Sequence, residues 1–138
     1  MILNLSEDSF KPKLNFDDDS ISYIYSCHFL QKFTKEELLD LLAECKRVLR
    51  PGEIMRVSVP DYYLLSDKYL KSQCKIDQVN KILNGSKIFF DFIMMQKLMT
   101  QAGFYAVKRF DAEKFNLDDN STLMVNGGIV SLNVEAYG

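Results

Sequence analysis

The sequence predicts an α/β fold: a mixed sheet with helices packed on it and an antiparallel last strand. Three observations predict it. Strand-like runs over 21–27 and 53–59 flank one well-signalled helix, the pattern of a β-α-β unit with a parallel pair. The two closing strand-like runs have no helix between them, so they are expected to pair antiparallel. The last run alternates apolar and polar residues, which marks a sheet with one drier and one wetter face.

Each element has a local cause. Met1 to Leu5 is a short apolar run with β character, and residues 6–20 are polar and turn-like around Pro12. Ile21 to Cys27 is rich in Ile and Tyr, which favour a pleated surface. The first helix opens on Thr34 and Glu37, a capping box, with Phe33 placed to staple onto Leu38. Leu38, Leu41, Leu42, Cys45, Val48 and Leu49 recur at helical spacing and give one apolar face. Lys46, Arg47 and Arg50 crowd its last turn, where the helix dipole favours positive charge, and Pro51-Gly52 is expected to end it. Glu53 to Val59 is a strand with Met55, Val57 and Val59 on one face. Residues 62–86 read as a helical insertion. A further helix begins at Asp91, an N-cap, and stops at Gly103. Phe104 to Phe110 is a strand, 111–128 an irregular loop, and Ile129 to Tyr137 the last strand.

Composition narrows the function. A chain of 138 residues, 47% hydrophobic and 26% charged, is expected to form a single domain over 1–138 with a real core. With a net charge of −2 and no clustered basic run, the chain has no nucleic-acid footprint in its sequence, and no nucleic-acid partner is expected. Cys27, Cys45 and Cys74 are odd in number and widely spaced, which argues against a disulfide framework or a zinc site, and no metal is expected. The opening "MILNLSEDSF" has neither a basic leader nor a long apolar run, so the expected location is cytoplasmic.

Four segments in order carry a resemblance: "NFDDDSISYIYSCHFLQKF", "LLAECKRVLRPGEIMRVSVPD", "LMTQAGFYAVKRF" and "SLNVEAYG". Together they resemble the C-terminal half of class I S-adenosylmethionine-dependent methyltransferases of the type 11 kind. The resemblance implies a truncated Rossmann-like sheet, with Met1 to Leu5 standing for the family's third strand and Ile21 to Cys27 for its fourth. It implies S-adenosylmethionine as cofactor and an oxygen or nitrogen of a small molecule or sugar as methyl acceptor. It also exposes departures. The family's glycine-rich cofactor loop has no counterpart, and no glycine precedes Gly52. The family's Glu-His pair after its fourth strand reads Gln31-Lys32, and the second glycine of its "PGG" turn is Glu53. The chain alone is therefore not expected to build the ordinary cofactor pocket. The edge of Ile21–Cys27 is expected to be open; residues 1–5 could pair with it, but the expected repair is cover by another chain, as a homo-oligomer or a partner. The alternative to an enzyme completed by another chain is a non-catalytic binding or assembly module.

The candidate residues follow. His28, the only histidine, stands after the strand where the family's site opens; it is a general base or a structural residue. Asp61 lies at the carboxyl edge, where α/β folds bind ligands, and could equally cap the next helix. Glu7, Asp18, Ser26 and Cys27 are the cofactor-side candidates implied by the resemblance. The run Asp17-Asp18-Asp19 could also be a solvated turn, and Cys27 a small buried hydrophobe. Tyr62 and Tyr63 line a substrate pocket or pack the insertion. Arg56, an odd residue for a strand, pairs with Glu135 or Asp61 or faces a subunit interface.

Overall fold

The computed structural model describes residues 1–6 and 13–138. Its main sheet has five strands: β1 (Ile2–Leu5), β2 (Ile21–Cys27), β3 (Leu49–Pro60), β4 (Tyr105–Arg109) and β7 (Ser131–Tyr137), in the order β1-β2-β3-β7-β4. The first three are parallel, and β7 runs antiparallel to both β3 and β4. A two-residue hairpin, β5 (Met124–Val125) and β6 (Gly128–Ile129), stands apart. The helices are α1 (Lys35–Val48), α2 (Tyr62–Leu70), α3 (Ile76–Leu83) and α4 (Phe92–Gln101). The expected α/β fold with an antiparallel last strand is thus present.

Local signals act as read. Thr34 Oγ1 accepts from Glu37 N at 3.3 Å while Glu37 Oε1 accepts from Thr34 N at 3.0 Å, closing the capping box of α1. Asp91 Oδ1 accepts from Met94 N at 2.8 Å and caps α4. Leu38, Leu41, Leu42, Cys45 and Val48 of α1, with Met95, Leu98 and Met99 of α4, are buried against Met55, Val57, Val59, Leu132, Val134 and Ala136. One boundary differs. Pro51-Gly52 does not lie beyond the helix as a bare stop; β3 already begins at Leu49, and Gly52, at φ +82, bonds its N–H to Gly138 O at 3.0 Å. The turn is held by the chain's last residue. The insertion over 62–86 is two short helices, α2 and α3.

The edge of Ile21–Cys27, expected to be open, is closed within the chain. β1 pairs along it in parallel, Ile2 to Tyr23 through Leu5 to Ser26. Leu3 and Leu5 turn into the core while Ile2 and Asn4 stay exposed. The pairing satisfies backbone groups that would otherwise template association, and alternation puts two leucines over the helix layer.

The face away from α1 and α4 is built in rows. Residues paired directly across strands share a face, so the registers give one row of Ile2, Tyr23, Ile54, Tyr137 and Tyr105. A β-bulge at Ala106, φ +52, separates Tyr105 from Lys108 and re-aims Tyr105 onto this row, where it stacks on Tyr137 at 5.7 Å. The next row is Tyr25, Arg56, Glu135 and Lys108. Arg56 takes the first of the roles proposed for it. Its Nε sits 2.8 Å from Glu135 Oε2, and its guanidinium lies 4.5 Å from the centre of the Phe115 ring and 5.5 Å from that of Phe110. The segment from Phe110 to Leu123 folds over this half of the face, and Asn133 Nδ2 donates to Ser121 O at 2.9 Å. In the Ile2–Tyr105 row, Ile2 and Tyr105 are exposed and Tyr23, Ile54 and Tyr137 are half-buried.

Candidate functional site

Parallel strands in an open α/β sheet present their carboxyl ends to one crevice, where ligands bind. Here β2 delivers Cys27 and His28 to that edge, β3 delivers Asp61, and β4 delivers Arg109. His28 takes a left-handed backbone, φ +49, and its N–H donates to Ser58 O at 2.7 Å. The turn of the chain swings its ring over the sheet end.

The ring's tautomer follows from its neighbours. The Ser131 hydroxyl donates to Asn120 O at 2.5 Å, which uses its single proton. His28 Nε2 lies 2.8 Å from the same Ser131 oxygen, so Nε2 carries hydrogen and donates. Nδ1 is left as the lone-pair nitrogen. Burial pushes the His28 pKa down to about 4, against the pull of the Asp119 carboxylate. The imidazole is neutral at pH 7.

His28 lines a cavity of about 340 Å³ with Gln78, Lys81 and Ile82 of α3 and Asn120, Leu123, Met124 and Val125. α3 is held by Val79, Ile82 and Leu83 on a satellite cluster of Leu65, Cys74, Val125 and Val130, separate from the main core. Asn126 and Gly127 both have positive φ and make the tight turn of the β5–β6 hairpin that forms the opposite wall.

A polar cluster lies behind His28. Tyr25 OH donates to Asp119 Oδ2 at 2.6 Å, and Ser121 N donates to Asp119 Oδ1 at 2.9 Å. Burial opposes the Asp119 charge, yet the bonds from Ser121 and Tyr25 outweigh it and hold its carboxyl below the usual range. Burial, then the Asp119 charge, raises the Cys27 thiol, so Cys27 is no thiolate nucleophile at neutral pH.

The other sequence candidates are dispersed. Asp61 is 1% exposed; its Oδ1 accepts from Tyr63 N at 3.0 Å and Leu64 N at 3.3 Å, so it caps α2. Burial raises its pKa, partly countered by the Leu64 N–H and by Arg109, 3.7 Å from Oδ2. It does not line the His28 cavity. Ser26 is buried and shares a face with Val57 on the helix side, while Cys27 faces the opposite side. Asp18 sits before β2, at the amino end of the sheet, ion-paired to Arg47 at 2.7 Å. That end holds a wider groove of about 850 Å³, but Arg47 there is already committed to Glu44, Asp18, Leu14 O and Phe16 O. Glu7 lies outside the described residues. Tyr62 stacks on Phe89 at 4.9 Å, and with Tyr63 it borders a separate small hollow of about 150 Å³. Among the described residues, no group of three or more His, Cys, Asp or Glu could hold a metal ion, and no helix is long and apolar enough to cross a membrane.

Gln78, Lys81, Asn120, Met124 and Ser131 belong to the site yet carry no motif. The Asn126-Gly127 pair was the available signal for the hairpin, and the Val79, Ile82, Leu83 stripe for α3.

Comparison with known proteins gives this geometry a context. Residues 5–57 match the sequence profile of a methyltransferase domain. No curated protein sequence matches the chain. Among solved structures, a Thermotoga maritima protein described as a S-adenosylmethionine-dependent methyltransferase, possible histamine N-methyltransferase, superposes with a TM-score of 0.60 at 19% identity, over 91% of this chain and 60% of that one. A S-adenosylmethionine-dependent methyltransferase from Archaeoglobus fulgidus gives 0.57 at 14% identity, over 89% and 62%. A Haloferax volcanii structure of a methyltransferase with the Trm112 methyltransferase activator gives 0.56 at 16% identity, over 91% and 57%. These likenesses establish a methyltransferase Rossmann-like fold, and this chain spans about 60% of the length of these three structures. The resemblance to class I S-adenosylmethionine-dependent methyltransferases therefore holds in sequence profile and in fold.

That family uses S-adenosylmethionine, and the residues present do not fit it. A cradle needs backbone to approach the ligand closely, which glycine permits. The stretch from β1 to β2 contains no glycine. Gly52, Gly103 and Gly127, all at positive φ, are committed to turns at the α1–β3 junction, the end of α4 and the hairpin. Among the described residues, the parallel strands β1, β2 and β3 deliver no glycine loop to their carboxyl ends.

Proposed function

We infer that this methyltransferase-like chain supplies the acceptor side of a methyltransferase site, and that a second polypeptide supplies the donor side. The observation that carries the reading is His28: a neutral imidazole at the carboxyl end of β2, its tautomer fixed by Ser131 and Asn120, lining a small-molecule cavity. Nδ1 accepts a hydrogen bond from the acceptor's O–H or N–H and aims the atom to be methylated. With a pKa of about 4 it orients more than it abstracts, so the chemistry rests on positioning. The acceptor is a small molecule or a sugar.

The apolar row from Ile2 to Tyr105 supports the need for a partner. α/β sheets of this kind bury both faces, and this row crosses all five strands. The partner packs on the row and brings the glycine loop. β1 has already closed the Ile21–Cys27 edge, so the face rather than the edge is the surface to cover. A second copy of the chain would cover it without adding a cradle.

The test is a chimera. The N-terminal segment of the Thermotoga maritima methyltransferase that has no counterpart here is joined ahead of residue 1. The chimera is expected to bind S-adenosylhomocysteine, and His28→Asn, which tolerates the left-handed backbone there, is expected to leave that binding unchanged. A folded chimera that binds no cofactor removes the reading. One observation favours the alternative of a non-catalytic module: Gln31 and Lys32 replace the family's Glu-His pair, and Gln31 is buried.

A further inference from the structure

The His28 cavity has a polarity of its own. Leu123, Met124, Val125 and Ile82 supply its apolar lining, from both the hairpin side and α3. His28, Gln78, Lys81 and Asn120 interrupt that lining, and no carboxylate of the described residues lines it. The nearby acid, Asp119, is turned away, its two oxygens taking Tyr25 OH and Ser121 N. His28 Nδ1 has no partner among the described residues, and an imidazole nitrogen in that state calls for an O–H or N–H donor. Gln78 and Lys81 stand three residues apart on α3, which puts them on one face. Gln78 Oε1 is occupied by Lys75 N at 3.1 Å, which leaves the amide N–H groups as its free donors. Lys81 makes no ion pair among the described residues, although Asp77 precedes it by one turn. α3 therefore offers the cavity donors and positive charge, His28 offers it an acceptor, and apolar side chains share the lining. At about 340 Å³ it is at the small end of ligand pockets.

We propose that this cavity binds a small, partly apolar molecule with an anionic group at one end, held by Lys81 and Gln78, and a hydroxyl or amine at the other, donating to His28 Nδ1. The proposal rests on reading the cavity as the acceptor side and adds the chemical class of the acceptor. Carboxylate and phosphate monoester share the required chemistry.

The only histidine gives a single set of imidazole resonances, so nitrogen NMR reports this site without ambiguity. The full chain is titrated with 4-hydroxybenzoate, 4-hydroxyphenyl phosphate, the neutral 4-hydroxybenzamide, and benzoate. Both hydroxylated anions are expected to shift Nδ1 saturably and to bind about tenfold more tightly than the amide. The tighter of the two identifies the anionic group. Benzoate is expected to bind without the Nδ1 shift. Lys81→Met, at an exposed helical position that tolerates Met, is expected to erase the advantage over the amide. An amide that binds as tightly as the anions, an unchanged Lys81→Met variant, or no saturable shift at low millimolar probe would overturn the proposal. None of these outcomes touches cofactor binding by the chimera, so the two readings fail separately.

Discussion

Acid should destabilise this protein through one side chain, and the size of the effect can be worked out. His28 has a pKa of about 4 in the folded chain against 6.5 when free. A depressed folded value means that the unfolded state binds the extra proton first. Stability is therefore full above about 6.5 and is lost as pH falls towards 4. One proton gives a slope of at most about 1.4 kcal/mol per pH unit. Between pH 7 and pH 5 the linkage integrates to about 2 kcal/mol. Asp61 works with the opposite sign, because burial raises its pKa. A variant that keeps Asp61 cancels that contribution. His28→Asn suits the comparison, since Asn tolerates the left-handed backbone at φ +49 and does not titrate. Urea unfolding at pH 7, 6 and 5 is the assay. The wild type is expected to lose about 2 kcal/mol more than the variant across that range. Equal losses would refute the burial of a neutral imidazole.

Three further outcomes follow from the same geometry. Leu3→Ala should cost about 2–3 kcal/mol in urea, because β1 buries that side chain, while Ile2→Ala should change little; equal small effects would mean that β1 does not pair with β2. Asp61→Ala should cost about 1–2 kcal/mol through loss of the α2 cap, and Asp61→Asn should recover most of it, since an amide oxygen still accepts from Tyr63 and Leu64. Arg56→Met should cost about 2–3 kcal/mol by leaving Glu135 half-paired with Lys108, and adding Glu135→Gln should restore part of the loss.

Much of the architecture was legible in the chain because its signals are local. The Thr34–Glu37 box, the Asp91 cap and the alternation of the last strand each act within one element. The antiparallel closing pair followed from the absence of an intervening helix. What the sequence concealed was non-local. Nothing in Met1 to Leu5 tells which strand it will join, since a short apolar run satisfies either edge. The Arg56–Glu135 pair was only one of several options until register set the two side by side. The site shows the same division. His28 and Asp61 could be named from their strand ends, but the cap role of Asp61 and the tautomer of His28 depend on groups two to a hundred residues away. Lys81 and Ser131 have no motif at all; only the folding of α3 and the hairpin around His28 gives them a role.

Calorimetry of this chain by itself with S-adenosylhomocysteine tests the central claim most directly. No heat of binding is expected up to about millimolar ligand, because no glycine stands in the stretch from β1 to β2 to let backbone approach a cofactor closely. A one-to-one isotherm in the micromolar range would contradict it.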